Sequence, residues 1–181
     1  MNDAPVYDLL RQDSIKTENH LMIFSDSSCQ YYLDTVRSTL AYIIIYHGGP
    51  IHHGTHILGP VSQSSSESKY NVASTAGMAL AHFRMLIHSF LKKDPDIVPE
   101  EAPLIILDGK PAICIAKNGK DTKRTRHILR RTHLVRNGEK CKMHKIDWCE
   151  VGLQLADIAT NNVGEHDLTP RMKYMIVRLH N

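Results

Sequence analysis

The sequence predicts an α/β domain built on one mixed β-sheet with helices packed against it. The apolar run at 21–24, the β-branched and aromatic stretch at 37–46 and the segment at 51–58 indicate three strands joined as an antiparallel meander. A long amphipathic helix follows, and the apolar run at 104–107 indicates a fourth strand. Because a strand reached through a helix joins the sheet by a right-handed crossover, parallel and antiparallel neighbours should share one sheet, with helices covering its faces.

The long helix has a clear predicted start and end. Ser64 and Glu67 have the spacing of a capping box, so the helix should begin directly after the serine-rich stretch at 62–66. The Asp-Pro pair at 94–95 should end it. Between these limits apolar residues recur every three or four positions, at Val72, Ala76, Leu80, Phe83, Ile87 and Phe90.

The second half of the chain completes the predicted order β-β-β-α-β-α-α-β-α. After the fourth strand we expect a short helix, a basic helix, a strand and a helix, at 111–117, 122–136, 141–146 and 152–162. Asn137 and Gly138 should stop the basic helix. A last helix is expected at 169–179.

Length and composition favour one soluble domain. The 181 residues suit a single domain at 20–181, preceded at 1–19 by a polar leader or the remnant of an upstream segment. No apolar run approaches the roughly 20 residues that span a bilayer, and the first residues do not resemble a secretory signal. The four scattered cysteines favour free thiols in a reducing compartment. We therefore expect a protein that has no membrane partner and is not secreted.

The stretch at 117–136 concentrates positive charge, with Asp121 as its one acid. A charge run is often only a solvated helix face, but the near absence of balancing acids favours a polyanion as partner. The predicted nucleic-acid-binding residues are Lys123, Arg124, Arg126, Arg130, Arg131 and Arg136.

Four carboxylates occupy comparable places in the predicted elements. Asp26 and Asp108 each follow the apolar run of a strand, Glu67 opens the long helix, and Asp157 lies in the helix at 152–162. Taken singly, they could be turn formers, a helix cap and a solvated helix residue. Taken together, they would repel one another if they converged at a sheet edge, and divalent cations such as Mg²⁺ would relieve that repulsion.

Five segments of the chain resemble, in the same order, the ribonuclease H domain of copia-type (Pseudoviridae-like) LTR retrotransposon polyproteins. The first two, SDSSCQYYLDTVRSTLAYII and GGPIHHGTHILGPVSQSSSESKY, resemble an aspartate followed by R-S-T-S-G-Y and then G-G-x-I-S-W with S-S-T-E-A-E-Y. The next two, LIILDGKPAICIAKN and TKRTRHILRRTHLVRNGE, resemble C-D-N-x-S-A-I-x-L-A-x-N and R-T-K-H-I-x-x-x-x-H-F-I-R-E. LQLADIATNN resembles Q-x-A-D-I-L-T-K, so the likeness runs from about Phe24 to Asn162.

The resemblance implies a ribonuclease H-like fold, a five-stranded mixed sheet with helices on both faces. It assigns the catalytic and metal-binding roles to Asp26, Glu67, Asp108 and Asp157. It further implies two Mg²⁺ ions, for which Mn²⁺ can substitute, one activating a water and the other stabilising the leaving 3′ oxygen. The implied substrate is the RNA strand of an RNA–DNA hybrid, and the implied partner is an upstream reverse transcriptase domain. The implied location is a cytoplasmic virus-like particle or the nucleus.

Several positions depart from the family's pattern. Cys29 and His53 stand where the family has tryptophans, and Lys69 replaces the second glutamate of S-S-T-E-A-E-Y. Arg126 and Asn161 each replace a lysine. No histidine lies at 147–156, where cellular ribonucleases H keep a mobile one. These departures leave open the alternative of a catalytically decayed module that only binds nucleic acid or a protein partner.

Two other functions remain as alternatives. An integrase or transposase core shares the fold, but it would carry two aspartates before a late glutamate, and here the glutamate is second and an aspartate is last. A histidine-rich metal-binding protein is the other alternative, because the chain has 12 histidines. Neither of its two candidate groups has the spacing of a structural zinc site; they are His52, His53 and His56, and His144 with Cys141 and Cys149.

Overall fold

A computed structural model of the chain describes residues 21–28, 37–47, 49–58, 62, 64–91, 102–117 and 129–160. Within these residues the element order is the predicted one. The five strands are β1 (Met22–Ser28), β2 (Thr39–Tyr46), β3 (Gly49–Ile57), β4 (Leu104–Leu107) and β5 (Lys145–Trp148). The helices are α1 (Ser65–Phe90), α2 (Lys110–Lys117), α3 (Leu129–Lys140) and α4 (Asp157–Thr160), with a 3₁₀ turn at Val151–Leu153 before α4.

The five strands form one mixed sheet in the order β3-β2-β1-β4-β5. The first three strands are antiparallel neighbours, whereas β4 runs parallel to both β1 and β5. The ladder between β1 and β4 pairs Met22 with Leu104 and ends at the pair Phe24–Ile106. Beyond that pair the two central strands no longer bond to each other, which leaves room for side chains between them.

Both faces of the sheet are covered, as predicted. Strand alternation sends Ile23 into the core shared with α1, α2 and α3, where Tyr70, Leu80 and Val135 are also buried. Phe24 points to the opposite face and packs with residues of the segment before α4, among them Leu155 and Ala156. Full burial of one such side chain stabilises the fold by about 1.5–3 kcal/mol.

The long helix α1 begins as the capping box predicts. The backbone N–H of Glu67 donates to Ser64 Oγ at 3.2 Å, which satisfies one of the four unpaired N–H groups of the first turn. The helix ends at Phe90, before the predicted Asp-Pro stop.

The predicted stop of the basic helix at Asn137 and Gly138 is wrong, because α3 continues to Lys140. Gly138 serves a close approach: a Cβ at this position would lie 2.1 Å from Cε1 of the buried His144 ring. After the helix the chain changes direction at Lys142, whose φ of 55° lies in the left-handed region. The N–H of Met143 donates to Gly138 O at 2.8 Å, which closes the end of the helix. Residues 122–128 of the predicted basic helix and the predicted helix at 169–179 lie outside the described residues.

Strand β2 begins at Thr39, later than predicted, β3 spans Gly49–Ile57 in place of 51–58, and three further differences concern β1, β5 and α4. Strand β1 extends past Asp26 to Ser28, so this aspartate lies inside a strand and not after it. The last strand starts at Lys145, later than predicted. The predicted helix at 152–162 is split into the 3₁₀ turn and α4, because the segment between them holds Gln154, whose side chain bonds to the sheet.

Candidate active site

Three of the four predicted carboxylates converge where the central strands part. Asp26 comes from β1, Asp108 directly follows β4, and Asp157 is the first residue of α4. One oxygen from each lies within 4.8 Å of the other two. The Asp26 and Asp157 side chains are buried, and the Asp108 side chain is 6% exposed. Three carboxylates brought so close together in a poorly solvated place require compensating positive charge.

Glu67, the fourth predicted carboxylate, lies in the first turn of α1. It is buried, and its backbone N–H takes part in the Ser64 cap. The group of oxygens within 4.8 Å of one another contains Asp26, Asp108 and Asp157 but not Glu67.

Lys69 inserts its ammonium group into the acidic cluster. Its Nζ donates to both carboxylate oxygens of Asp108 and lies 3.2 Å from Asp26 Oδ1. Burial alone would lower the pKa of Lys69, but the hydrogen bond to Asp108 and the charges of Asp26 and Asp108 outweigh it and raise the pKa. The side chain therefore stays protonated and supplies positive charge to two of the three aspartates.

Asp26 is held by its surroundings through one oxygen. Thr160, at the end of α4, donates its hydroxyl to Asp26 Oδ2 at 2.6 Å. The other oxygen, Oδ1, is buried, and the group that faces it is the Lys69 ammonium at 3.2 Å. A buried carboxylate oxygen that faces a cation fits a metal ligand, and the all-oxygen set of the cluster suits a hard divalent ion such as Mg²⁺ or Mn²⁺.

Gln154 fixes the segment that carries Asp157 to the two central strands. Its side-chain Nε2 donates to Ser25 O at 3.1 Å and, at the longer distance of 3.5 Å, to Ile106 O. These carbonyls lie at the point where β1 and β4 separate. Its Oε1 accepts from Ala156 N at 3.3 Å, which shapes the turn into α4. The fully buried amide of Gln154 thus supplies hydrogen bonds to backbone carbonyls that β1 and β4 cannot satisfy in each other where they separate.

Trp148 holds the backbone beside Asp108. Its indole N–H donates to Asp108 O at 3.1 Å, and Lys110 Nζ lies 4.5 Å from the centroid of the indole ring. Trp148 is the chain's single tryptophan. Its fluorescence therefore reports on this edge of the sheet alone.

The buried thiol of Cys149 lies near the same edge but is not a nucleophile. Burial, followed by the charges of Asp108 and Asp157, raises its pKa to about 12. It stays protonated at neutral pH, whereas a reactive cysteine needs a lowered pKa.

Sequence reasoning did not find the roles of Lys69, Gln154, Thr160 and Trp148. The signal for Gln154 and Thr160 was present, because both belong to the segment LQLADIAT. In the sequence Lys69 is distinguished only as a departure from the family's glutamate.

The predicted basic surface is described only in part. Arg130 is exposed and Arg131 is half-buried on α3, while Lys123, Arg124 and Arg126 lie outside the described residues. Arg136 is buried, and its Nε and Nη2 donate to Ile115 O at 3.3 and 3.1 Å. This guanidinium satisfies a carbonyl of the last turn of α2, so its geometry is that of a helix cap and not of an exposed phosphate contact.

The histidine-based alternative finds no support in the described part of the chain. There the three aspartates are the one group of metal-binding side chains whose ligand atoms come together. His52 instead packs its ring 4.8 Å from that of Phe83, and His144 Nε2 bonds to Val135 O at 3.1 Å. In addition, no helix among the described residues has the length and hydropathy to cross a bilayer.

No family model and no curated protein matches the sequence, but the structure has solved counterparts. The N-terminal RNase H domain of Rv2228c from Mycobacterium tuberculosis superposes with a TM-score of 0.56 at 9% identity, over 83% of this chain and 96% of that one. RNase H1 from Halobacterium salinarum gives 0.53 at 15% identity, over 79% and 95%. LC11-RNase H1, solved in complex with an RNA/DNA hybrid, gives 0.54 at 11% identity, over 82% and 99%. The chain therefore has the ribonuclease H-like fold.

Proposed function

We propose that this chain is a metal-dependent endoribonuclease that hydrolyses the RNA strand of an RNA–DNA hybrid. The observation that carries the proposal is the convergence of Asp26, Asp108 and Asp157 within 4.8 Å in a ribonuclease H-like fold. The hybrid bound to LC11-RNase H1 supports the choice of substrate.

The three aspartates would hold divalent cations, and Glu67 is proposed as a further ligand on the resemblance alone. When bound, such ions lower the pKa of an attacking water and stabilise the leaving 3′ oxygen. The chain's own contribution is positioning. Thr160 holds the Asp26 carboxylate by a hydrogen bond, and Trp148 holds the backbone at Asp108. Gln154 anchors the segment that leads into Asp157. Rigid placement of charged ligands is a large part of what an enzyme adds to phosphoryl chemistry.

Phosphate contacts are proposed for the exposed and half-buried arginines of α3, Arg130 and Arg131, together with Lys123, Arg124 and Arg126. Each phosphate contact that is lost should reduce the slope of log affinity against log salt by about one. We expect the double substitution R130A/R131A to lower that slope for a hybrid. Exposed Lys140, at the far end of the same helix, supplies the matched control K140A. An unchanged slope in the double variant would remove this surface from the proposal.

The origin we propose is a copia-type LTR retrotransposon, in whose Pol polyprotein a reverse transcriptase domain would lie upstream. The support is the ordered likeness of five segments from Phe24 to Asn162. Reverse transcription produces RNA–DNA hybrids, so the substrate and the origin agree. The proposed location is accordingly a cytoplasmic virus-like particle or the nucleus.

The test is cleavage by purified protein of one sequence presented as an RNA–DNA hybrid, double-stranded RNA and double-stranded DNA. We expect Mg²⁺- or Mn²⁺-dependent cleavage of the hybrid's RNA strand only, and loss of most activity in D26N and D157N. Comparable cleavage of double-stranded DNA would contradict the proposal and favour the transposase alternative.

A module that only binds nucleic acid or a protein partner is the second candidate. Lys69 is the observation that favours it, because its ammonium binds two of the aspartates a metal would use. Hybrid binding without cleavage by folded protein in either metal would select this candidate.

A further inference from the structure

Lys69 lies where a cation of the acidic cluster is expected. Its Nζ contacts both oxygens of Asp108 and one of Asp26, and these carboxylates are 6% and 3% exposed. The Lys69 side chain itself is 22% exposed, so a charged group has been drawn from solvent into the protein. A lysine on the first turns of a helix could point outward at little cost, and here it points into the cluster.

The fold provides a slot for the aliphatic stem of this lysine. Gly109 directly follows Asp108, and a Cβ at this position would lie 2.8 Å from Lys69 Cδ and 3.8 Å from Lys69 Cβ. The backbone of the turn after β4 therefore packs against the stem, and a side chain at position 109 would force the stem to move. This contact is independent of the charges, and it shows that the lysine is accommodated by shape as well as by attraction.

We propose that the Lys69 ammonium is a resident cation that takes the place of one of the two divalent ions, so that the cluster binds a single metal ion. The three carboxylates whose oxygens converge and the ammonium together carry a formal charge of −2, which one divalent ion neutralises. A second divalent ion would have to displace the ammonium from Asp108 and Asp26 or tolerate its repulsion at contact distance. The inference rests on metal binding by the proposed ribonuclease site and not on its catalytic turnover.

The test is a titration of the whole chain with Mn²⁺ in the absence of nucleic acid, with bound ions counted by electron paramagnetic resonance of the free metal. Quenching of Trp148 fluorescence by Mn²⁺ gives a second readout at the same edge of the sheet. The variants are K69Q, which removes the charge, and K69E, which adds a carboxylate. The control is K110Q, because Lys110 is an exposed cation beside the site that touches the Trp148 ring.

We expect one Mn²⁺ per wild-type chain and per K110Q chain. The K69Q and K69E chains should each bind two Mn²⁺ ions, or bind their first ion at least about tenfold more tightly than the wild type does. Two ions on the wild type, no ion on any variant, or equal binding by wild type and Lys69 variants would overturn the proposal. Should the Lys69 variants fail to fold, the wild-type count alone decides, because two ions exclude a resident ammonium. One bound ion without hybrid cleavage would uphold the Lys69 assignment and refute the proposed ribonuclease activity.

Discussion

Replacing Gln154 by leucine tests whether this one buried amide holds the candidate site together. Leucine is close to glutamine in size but cannot bond to Ser25 O, Ile106 O or Ala156 N. The substitution therefore removes the link between the parting strands and the turn into α4 without opening a large cavity. We expect a less stable protein in which the three aspartates are no longer held in register.

The magnitude follows from the contacts. Ser25 O and Ala156 N, which are bonded to Gln154 at 3.1 and 3.3 Å, would each be buried without that partner, at a cost of about 1–3 kcal/mol that includes the lost bond. Together they predict a loss of about 2–6 kcal/mol in the free energy of unfolding. For a chain of this length about 1 kcal/mol corresponds to 2–4 °C, so Tm should fall by about 4–24 °C.

Urea unfolding followed by circular dichroism measures this loss, and exposed Glu150 in the same segment supplies the control E150L. The variant Q154E adds a pH test, because its carboxylate would face two carbonyl oxygens in a buried place, which raises its pKa in the folded state. Q154E should therefore approach wild-type stability at low pH, where the acid is protonated, and lose stability as pH rises. Wild-type stability of Q154L, within about 0.5 kcal/mol, would refute the structural role assigned to Gln154.

Three further predictions concern the folded state. Replacing glycine by alanine stabilises most helices by about 1 kcal/mol, but G138A should destabilise this protein by about 1–3 kcal/mol because the new methyl group meets the His144 ring. Equilibrium unfolding measures the change, and a stabilised G138A would contradict this packing. Burial lowers the pKa of His144 below its usual 6.5, so its contribution to stability is present above pH 6.5 and lost as pH falls below it; H144Q should flatten the urea stability profile between about pH 5 and 7. Iodoacetamide at neutral pH should label exposed Cys114 and Cys141 in the native protein but label Cys149 only after unfolding, as peptide mass mapping would reveal; native labelling of Cys149 would contradict its burial.

Local patterns in the sequence were sufficient to predict the order of the elements. Strand β4 has the predicted bounds because its four apolar residues lie between a proline and an aspartate, which leaves little choice of where the strand begins and ends. The start of α1 was predictable because a capping box is a local bond between Ser64 and the backbone of Glu67. The prediction that Asp26 and Asp108 converge is confirmed, although Asp26 lies inside β1: both aspartates come just after Phe24–Ile106, the last pair of the parallel ladder between β1 and β4.

Contacts between distant parts of the chain were not predictable in the same way. Glycine often ends a helix, so Gly138 predicts a helix end. The reason for a glycine at this position is the close approach of the His144 ring, which depends on how the chain returns to β5. Likewise, nothing in the neighbourhood of Lys69 shows that its ammonium reaches Asp108, because the two residues are brought together only by α1 crossing to β4. Arg136 belonged to a run of positive charge, yet it is turned inward to Ile115.

The central claim is that the acidic cluster hydrolyses RNA in a hybrid, and the chemistry of the product ends tests it most directly. Purified protein, shown to be folded, is incubated with an end-labelled hybrid in about 5–10 mM Mg²⁺ or Mn²⁺, a range that fills weak metal sites. We predict internal cuts in the RNA strand that leave 5′-phosphate and 3′-hydroxyl ends, an intact DNA strand, and no cuts by D108N. An uncut hybrid in both metals, or cuts that persist in D108N, would contradict the account.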